Sequence, residues 1–311
     1  MKSETKGVTA ANEWESFWSL MKRSGKLALP TSVEPIDQFF LEVIDQLSET
    51  PKTMLDLGAG NGALSQLLMT DRRDDRQLIV LDASLDALKM NIANNDVMPV
   101  KALLEELPFK DSSIDIVVSQ FGVEYARTSI WDQIARILKR NGSLCLSLHS
   151  KRGEIFLESE RNYGMLGLIS DSDFYKQLVQ LNIEPKTDSE RRLEAVLVQL
   201  VSSGRALREH LVKGSMPDQL IAQYVKVCEQ CLIDDWRNRS SDIVEWLKAA
   251  QTELDAFFDR LQSMMEAAMS QDDFFALQDA LMDLGFSINQ AGDIRLSSQE
   301  VLAFKLYARK N

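Results

Sequence analysis

Three glycines, Gly58, Gly60 and Gly62, follow the apolar run Thr53-Met54-Leu55, and an acid, Asp56, stands just before the first of them. Glycine at a strand-to-helix turn adopts backbone angles that a Cβ forbids and lets a ligand approach the main chain. The helix that follows offers unpaired amides and the positive end of a dipole. A second apolar run, Leu78-Ile79-Val80-Leu81, ends in Asp82. A carboxylate at that position accepts hydrogen bonds from both hydroxyls of a ribose. The ligand expected on these residues therefore contains a nucleoside. Gly58, Gly60 and Ala63 also satisfy the loose dinucleotide pattern GxGxxA, which is weak by itself. Asp56 sits badly beside a pyrophosphate and well beside an α-ammonium group.

These residues need a scaffold that brings strand ends together. Apolar strands alternate with amphipathic helices from the Thr53 run to "SLCLSLHS", which predicts an α/β fold with a doubly wound, mostly parallel sheet. "IWDQIARILK" reads as a helix closed by the turn "RNG", and a short strand is expected near Val100–Leu103. From about 155 to 270 the pattern is almost wholly helical, with stripes such as Leu220, Ile221, Tyr224, Val225, Cys228 and Leu232. Helix and strand signals then return. The expected organisation is one α/β domain, 1–154 plus 272–311, with N-terminal helices in 1–48 and a helical insertion, 155–271, between the fifth and sixth strands. On the sheet's crevice side the insertion would act as a lid that excludes water. Trp14, Phe17, Trp18 and Met21 share a helical face.

Composition narrows the partners. The 311 residues carry a net charge of −12, with no concentrated basic surface, which argues against nucleic acid. Three cysteines suit a reducing, cytoplasmic setting and no disulfide framework, and two histidines with a single CxxC argue against a metal site. No apolar run reaches the length of a bilayer span, and the N-terminus lacks an apolar signal core. Nothing in the chain fixes an oligomeric state.

The ordered motifs resemble those of the class I S-adenosylmethionine-dependent methyltransferases, especially the ubiquinone/menaquinone-biosynthesis type. Asp56-Leu57-Gly58-Ala59-Gly60-Asn61-Gly62 is similar to the family's first motif, and Asp82-Ala83-Ser84-Leu85-Asp86 to its second. Glu105-Glu106-Leu107-Pro108-Phe109, Asp115-Ile116-Val117-Val118 and "ILKRNGSLCLSLH" look like its later motifs. The resemblance implies a seven-stranded Rossmann-like sheet, S-adenosyl-L-methionine as cofactor, and methyl transfer to a small or medium-sized O-, N- or C-nucleophile. Asp56 with the backbone of Gly58, Ala59, Gly60 and Gly62 would hold the methionine moiety, and Asp82 the ribose. Ala83 or Ser84 would line the adenine. Leu103 stands where the family often has an aspartate, leaving the adenine amino group to the Leu104 backbone or to Glu105. Ser119 and Gln120 would face the sulfonium end.

The acceptor chemistry would fall to His149, at the end of the fifth strand, and to Glu124 and Tyr125 after the fourth. His149 reads as a general base or as a hydrogen-bonded rim residue. A small-molecule acceptor is expected, with a protein acceptor as the alternative. Two further readings stay open: a methyltransferase-like binding protein without catalysis, and a nicotinamide-dependent oxidoreductase.

Overall fold

The computed structural model describes residues 14–15, 18, 34–47, 51–70, 76–126, 130–179, 189–233 and 240–311. Phe17 and Met21 of the N-terminal aromatic face lie outside these residues. Seven strands, β1 (Thr53–Leu57), β2 (Gln77–Asp82), β3 (Met98–Lys101), β4 (Ile114–Gln120), β5 (Leu138–Leu148), β6 (Phe286–Arg295) and β7 (Val301–Lys310), form one sheet. Their order is β3-β2-β1-β4-β5-β7-β6, with β1 to β5 parallel and β7 antiparallel to both its neighbours. The carboxyl ends of β1, β2, β4 and β5 therefore share one edge. The order reverses at β1, and in such sheets ligands bind in the crevice at that switch point.

Alternation along the strands sorts their side chains into two cores. Leu55, Leu57, Leu81, Val117, Leu144 and Leu146 pack with Ile130 and Ile134 of α4 (Ile130–Ile137) and with Phe274 and Leu281 of α10 (Gln271–Asp283). Met54, Val80, Ile116 and Val118 face the other way, toward α1 (Glu34–Asp45), α2 (Ala63–Thr70) and α3 (Leu85–Asn94). Both faces are covered, which is why these strands read as near-continuous apolar runs.

Two elements depart from the expected boundaries. The helix after β4 ends at Ile137, and the chain enters β5 at once because Leu138 pairs with Ile114 and Lys139 bonds Asp115 at 2.7 Å. Strand β3 starts at Met98, in register with Ile79, so Pro99 lies in the sheet's edge strand, where its missing N–H costs nothing.

Contacts divide the chain into two compact units, residues 1–157 with 263–311, and residues 158–262. The second unit has its own core. Leu193, Leu197 and Leu200 of α7 (Ser189–Arg208) join Ile221, Val225 and Cys228 of α8 (Met216–Ile233) and Leu247 and Leu254 of α9 (Ser240–Ala267). Burial pushes the Cys228 thiol up to about 12, so it packs as a small apolar group. Helices α5 (Glu154–Asp171) and α6 (Asp173–Val179) precede α7 in the chain. Among the described residues no helix is long and apolar enough to cross a membrane.

Strand β7 fixes the end of β5, with Phe304 opposite Leu148 and stacked on Phe274 at 4.3 Å. Phe304→Ala is expected to cost about 3–5 kcal/mol by leaving a cavity there. Urea denaturation measures the loss, and a cost below about 1 kcal/mol would contradict this packing.

Candidate functional site: the carboxyl edge of the sheet

At the end of β1 the chain turns with Gly58 at φ +68° and Gly60 at φ +52°. A Cβ on Gly58 would stand 2.9 Å from the Cα of Gly122, so β1 and β4 converge backbone to backbone at this point. The amides of Gly58 and Ala59 both bond the Leu81 carbonyl, at 2.9 and 3.1 Å, which ties the turn to the end of β2. Helix α2 begins immediately after Gly62.

Asp82 locks this turn to the next one. Its Oδ2 accepts from the Gly60 amide at 2.9 Å and its Oδ1 from the Ser84 amide at 2.8 Å. Burial raises its pKa above the ordinary carboxylate range, and these amide bonds oppose the rise. Ser84 caps α3, its Oγ accepting from the Ala87 amide at 3.1 Å. Its hydroxyl is fully buried, while Ala83 beside it is half-buried. Glu15 reaches the same corner, its Oε2 accepting from the Leu85 amide at 2.8 Å.

Asp56 lies beneath the turn, 1% exposed. Its Oδ2 accepts from Ser65 Oγ at 3.0 Å, and Ser65 Oγ accepts from Asn91 Nδ2 at 3.2 Å. Burial pushes the Asp56 carboxyl up to about 7. Ser65 and Asn91 escape the sequence reading, although both are polar residues on otherwise apolar helix faces, which is a usable signal.

Ser119 braces the turn: its hydroxyl donates to the Leu57 carbonyl at 2.7 Å and accepts from the Val123 amide at 3.2 Å. Gln120, the last residue of β4, is half-buried. Phe121 then takes φ +54°, a left-handed conformation unusual for a bulky residue. A 3₁₀ turn, Val123–Tyr125, carries Glu124 and Tyr125 beside the end of β5. Glu124 Oε1 accepts from the His149 backbone amide at 3.0 Å and lies 2.8 Å from His149 Nδ1. The Phe121 ring lies 4.3 Å from the imidazole, and Tyr125 meets it edge-on at 6.0 Å. Trp14 packs edge-on against Tyr125 at 5.2 Å and stacks with Trp18 at 6.4 Å. The Trp18 indole covers Gly60. Phe121 and Gly122 also escape the sequence reading, though an aromatic and a glycine directly after an apolar strand mark a close approach.

Asp56, Gly58, Ala59, Gly60, Gly62, Asp82, Ser119, Glu124, Tyr125 and His149 thus gather along one edge. Leu103, exposed, and Leu104 and Glu105, half-buried, follow β3 on the Asp82 side, where the Ala102 amide bonds the Asp82 carbonyl at 3.3 Å. His210 is exposed in the helical unit. Among the described residues no group of three or more His, Cys, Asp or Glu is placed to hold a metal.

Residues 55–146 match a family described as methyltransferase domain. No curated protein matches the chain in sequence. Solved structures with a similar fold include a methyltransferase of Thermotoga maritima titled a possible histamine N-methyltransferase, at 13% identity. It aligns over 96% of this chain and 99% of its own, with a TM-score of 0.46. A methyltransferase of Aquifex aeolicus aligns at 11% identity over 94% of this chain and 98% of its own, TM-score 0.46. A third match comes from the complex of the Haloferax volcanii Trm112 methyltransferase activator with a methyltransferase. It aligns at 12% identity over 96% of this chain and 94% of its own, TM-score 0.45.

Residues 55–146 carry a methyltransferase domain, set on the sheet order and glycine turn described above, and the chain is an enzyme. Its methyl donor is S-adenosylmethionine.

The Asp56 carboxyl makes a direct prediction. Between the ordinary carboxylate range and about pH 7 the unfolded chain has released a proton that the folded chain still holds. Stability of the ligand-free protein should therefore fall as pH rises through that window, by about 4 kcal/mol at most. Thermal unfolding of wild type and Asp56→Asn across this range should show a falling curve for the first and a flatter one for the second. Equal slopes would contradict the assignment.

Proposed function

We propose that the chain transfers the methyl group of S-adenosylmethionine to a small or medium-sized acceptor by direct displacement at an oxygen, nitrogen or carbon nucleophile. The observation that carries this reading is the Gly60–Asp82 lock: a buried carboxylate pinned to a side-chain-free turn at the switch point of the sheet. The cofactor supplies a methyl group already activated by its sulfonium. Asp82 accepts from the ribose hydroxyls, for which a carboxylate held by two backbone amides retains free lone pairs. Asp56 and the glycine-turn backbone take the methionine end, and Ala83, Ser84, Leu103, Leu104 and Glu105 border the adenine. Ser119 and Gln120 border the sulfonium end, Ser119 chiefly by bracing the turn.

The catalytic body is 1–154 with 272–311, and the insertion is 155–271. Alignment of nucleophile, methyl and sulfur is the main task of such a body, and is worth on the order of 7–11 kcal/mol in favourable systems. The protein's own contribution is to bind, orient and keep water out at the ends of β4 and β5.

Calorimetry tests the reading. S-adenosylmethionine and its demethylated product should bind, and NAD should not. Asp82→Ala should weaken product binding by about 1.5–3 kcal/mol, the worth of hydrogen bonds to a charged group. Unchanged affinity in that variant, or binding of NAD alone, would overturn it.

A further inference from the structure

We propose that Trp18 is an autoinhibitory plug: in the ligand-free protein its indole occupies the approach to the glycine turn, and the cofactor binds only by displacing it. This rests on the methyl-transfer reading above and adds to it a control on cofactor entry.

The geometry starts at Gly60. A glycine at φ +52° presents bare main chain, and a ligand's polar group approaches such a turn from the side that lacks a Cβ. That side is filled. A Cβ built on Gly60 would stand 2.9 Å from Trp18 Cζ2 and 3.3 Å from Cη2, so the edge of the indole lies directly on the backbone of the turn. The Trp18 side chain is 5% exposed and packs with Ala87 of α3 and the half-buried Met90. An indole and a ligand cannot share that volume.

Two neighbours hold the indole in place. Trp14, Glu15 and Trp18 are all helical, and Trp14, four residues before Trp18, stacks with it at 6.4 Å. Trp14 also meets Tyr125 edge-on at 5.2 Å, on the β4 side of the crevice. Glu15 Oε2 accepts at 2.8 Å from the amide of Leu85, the first residue of α3. These three residues thus touch the turn after β4, the glycine turn and the start of α3, the walls between which the cofactor would lie.

The fastening can open. The Glu15 bond is exposed to water, which offers the Leu85 amide a replacement partner. The indole contacts are apolar and non-directional. The Gly60–Asp82 bond does not involve the plug, so the turn keeps its shape when the indole leaves. A ligand that binds only the open form has its apparent affinity reduced by the open fraction. S-adenosylmethionine and its demethylated product differ by one methyl group on sulfur, so the plug acts on both alike.

Fluorine NMR of the full-length protein labelled with 5-fluorotryptophan reads the plug without any ligand. The chain has five tryptophans, and the signal lost in Trp18→Phe assigns Trp18. That signal should be shielded from solvent in the ligand-free wild type and move to an exposed position when S-adenosylhomocysteine is added. A solvent-exposed Trp18 in the ligand-free wild type overturns the plug whether or not cofactor binds, which separates this failure from that of the methyl-transfer reading.

Affinity and rates test the inhibition. Trp18→Ala should bind S-adenosylhomocysteine at least about threefold tighter than wild type, through faster association and an unchanged dissociation rate, because only the open fraction has changed. Glu15→Ala keeps the indole and removes its neighbour's latch, so it should shift affinity and association in the same direction by less. It also stands in for Trp18→Ala should that variant fail to fold. Equal or weaker binding in these variants, or faster dissociation from Trp18→Ala, would make the indole a wall of the bound cofactor and overturns the plug. No binding by wild type or either variant overturns the methyl-transfer reading, and the plug with it.

Discussion

The bond from the Gly60 amide to Asp82 is the constraint on which the site depends. It joins the turn after β1 to the end of β2, and the Ser84 amide on the other carboxylate oxygen extends the link to the start of α3. A buried carboxylate without these amides would be strongly disfavoured in its charged form. With them it stays at the crevice as a rigid acceptor. The same amides restrain the glycine turn, whose freedom would otherwise oppose ligand binding.

A parallel sheet makes the rest follow. Because β1, β2, β4 and β5 run the same way, their chemistry-bearing ends meet at one edge while the apolar strand interiors are buried on both faces. The register of β4 against β5, Gln120 opposite Ser147, brings the 3₁₀ turn beside His149. Strand β7 clamps the last residues of β5 from the other side. The glycine turn, the acid at the end of β2 and the residues after β4 and β5 are thus parts of one edge.

Local features were legible in the sequence and pairings were not. Gly58 and Gly60 announce left-handed backbone because few other residues tolerate it. Asp82 is marked by its place at the end of an apolar run. Sheet and helices follow from their two periodicities. The Glu124–His149 contact joins residues 25 apart and exists only once β4 and β5 pair, so types and spacing nominate each residue without joining them. The Ser65 and Asn91 bonds to the Asp56 network depend on how α2 and α3 pack, which periodicity does not encode. The helix α4 ends two residues earlier than expected because Leu138 pairs with Ile114, while the expected turn is present, with Asn141 at φ +64° inside the register shift between Ile114 and Ile116.

The most direct measurement is a crystal structure of the protein with S-adenosylhomocysteine. The account predicts both ribose hydroxyls on the Asp82 carboxylate, with the glycine turn facing the methionine end. A product bound elsewhere, or an Asp82 carboxylate that still meets only backbone amides while Trp18 keeps its place over Gly60, would contradict it.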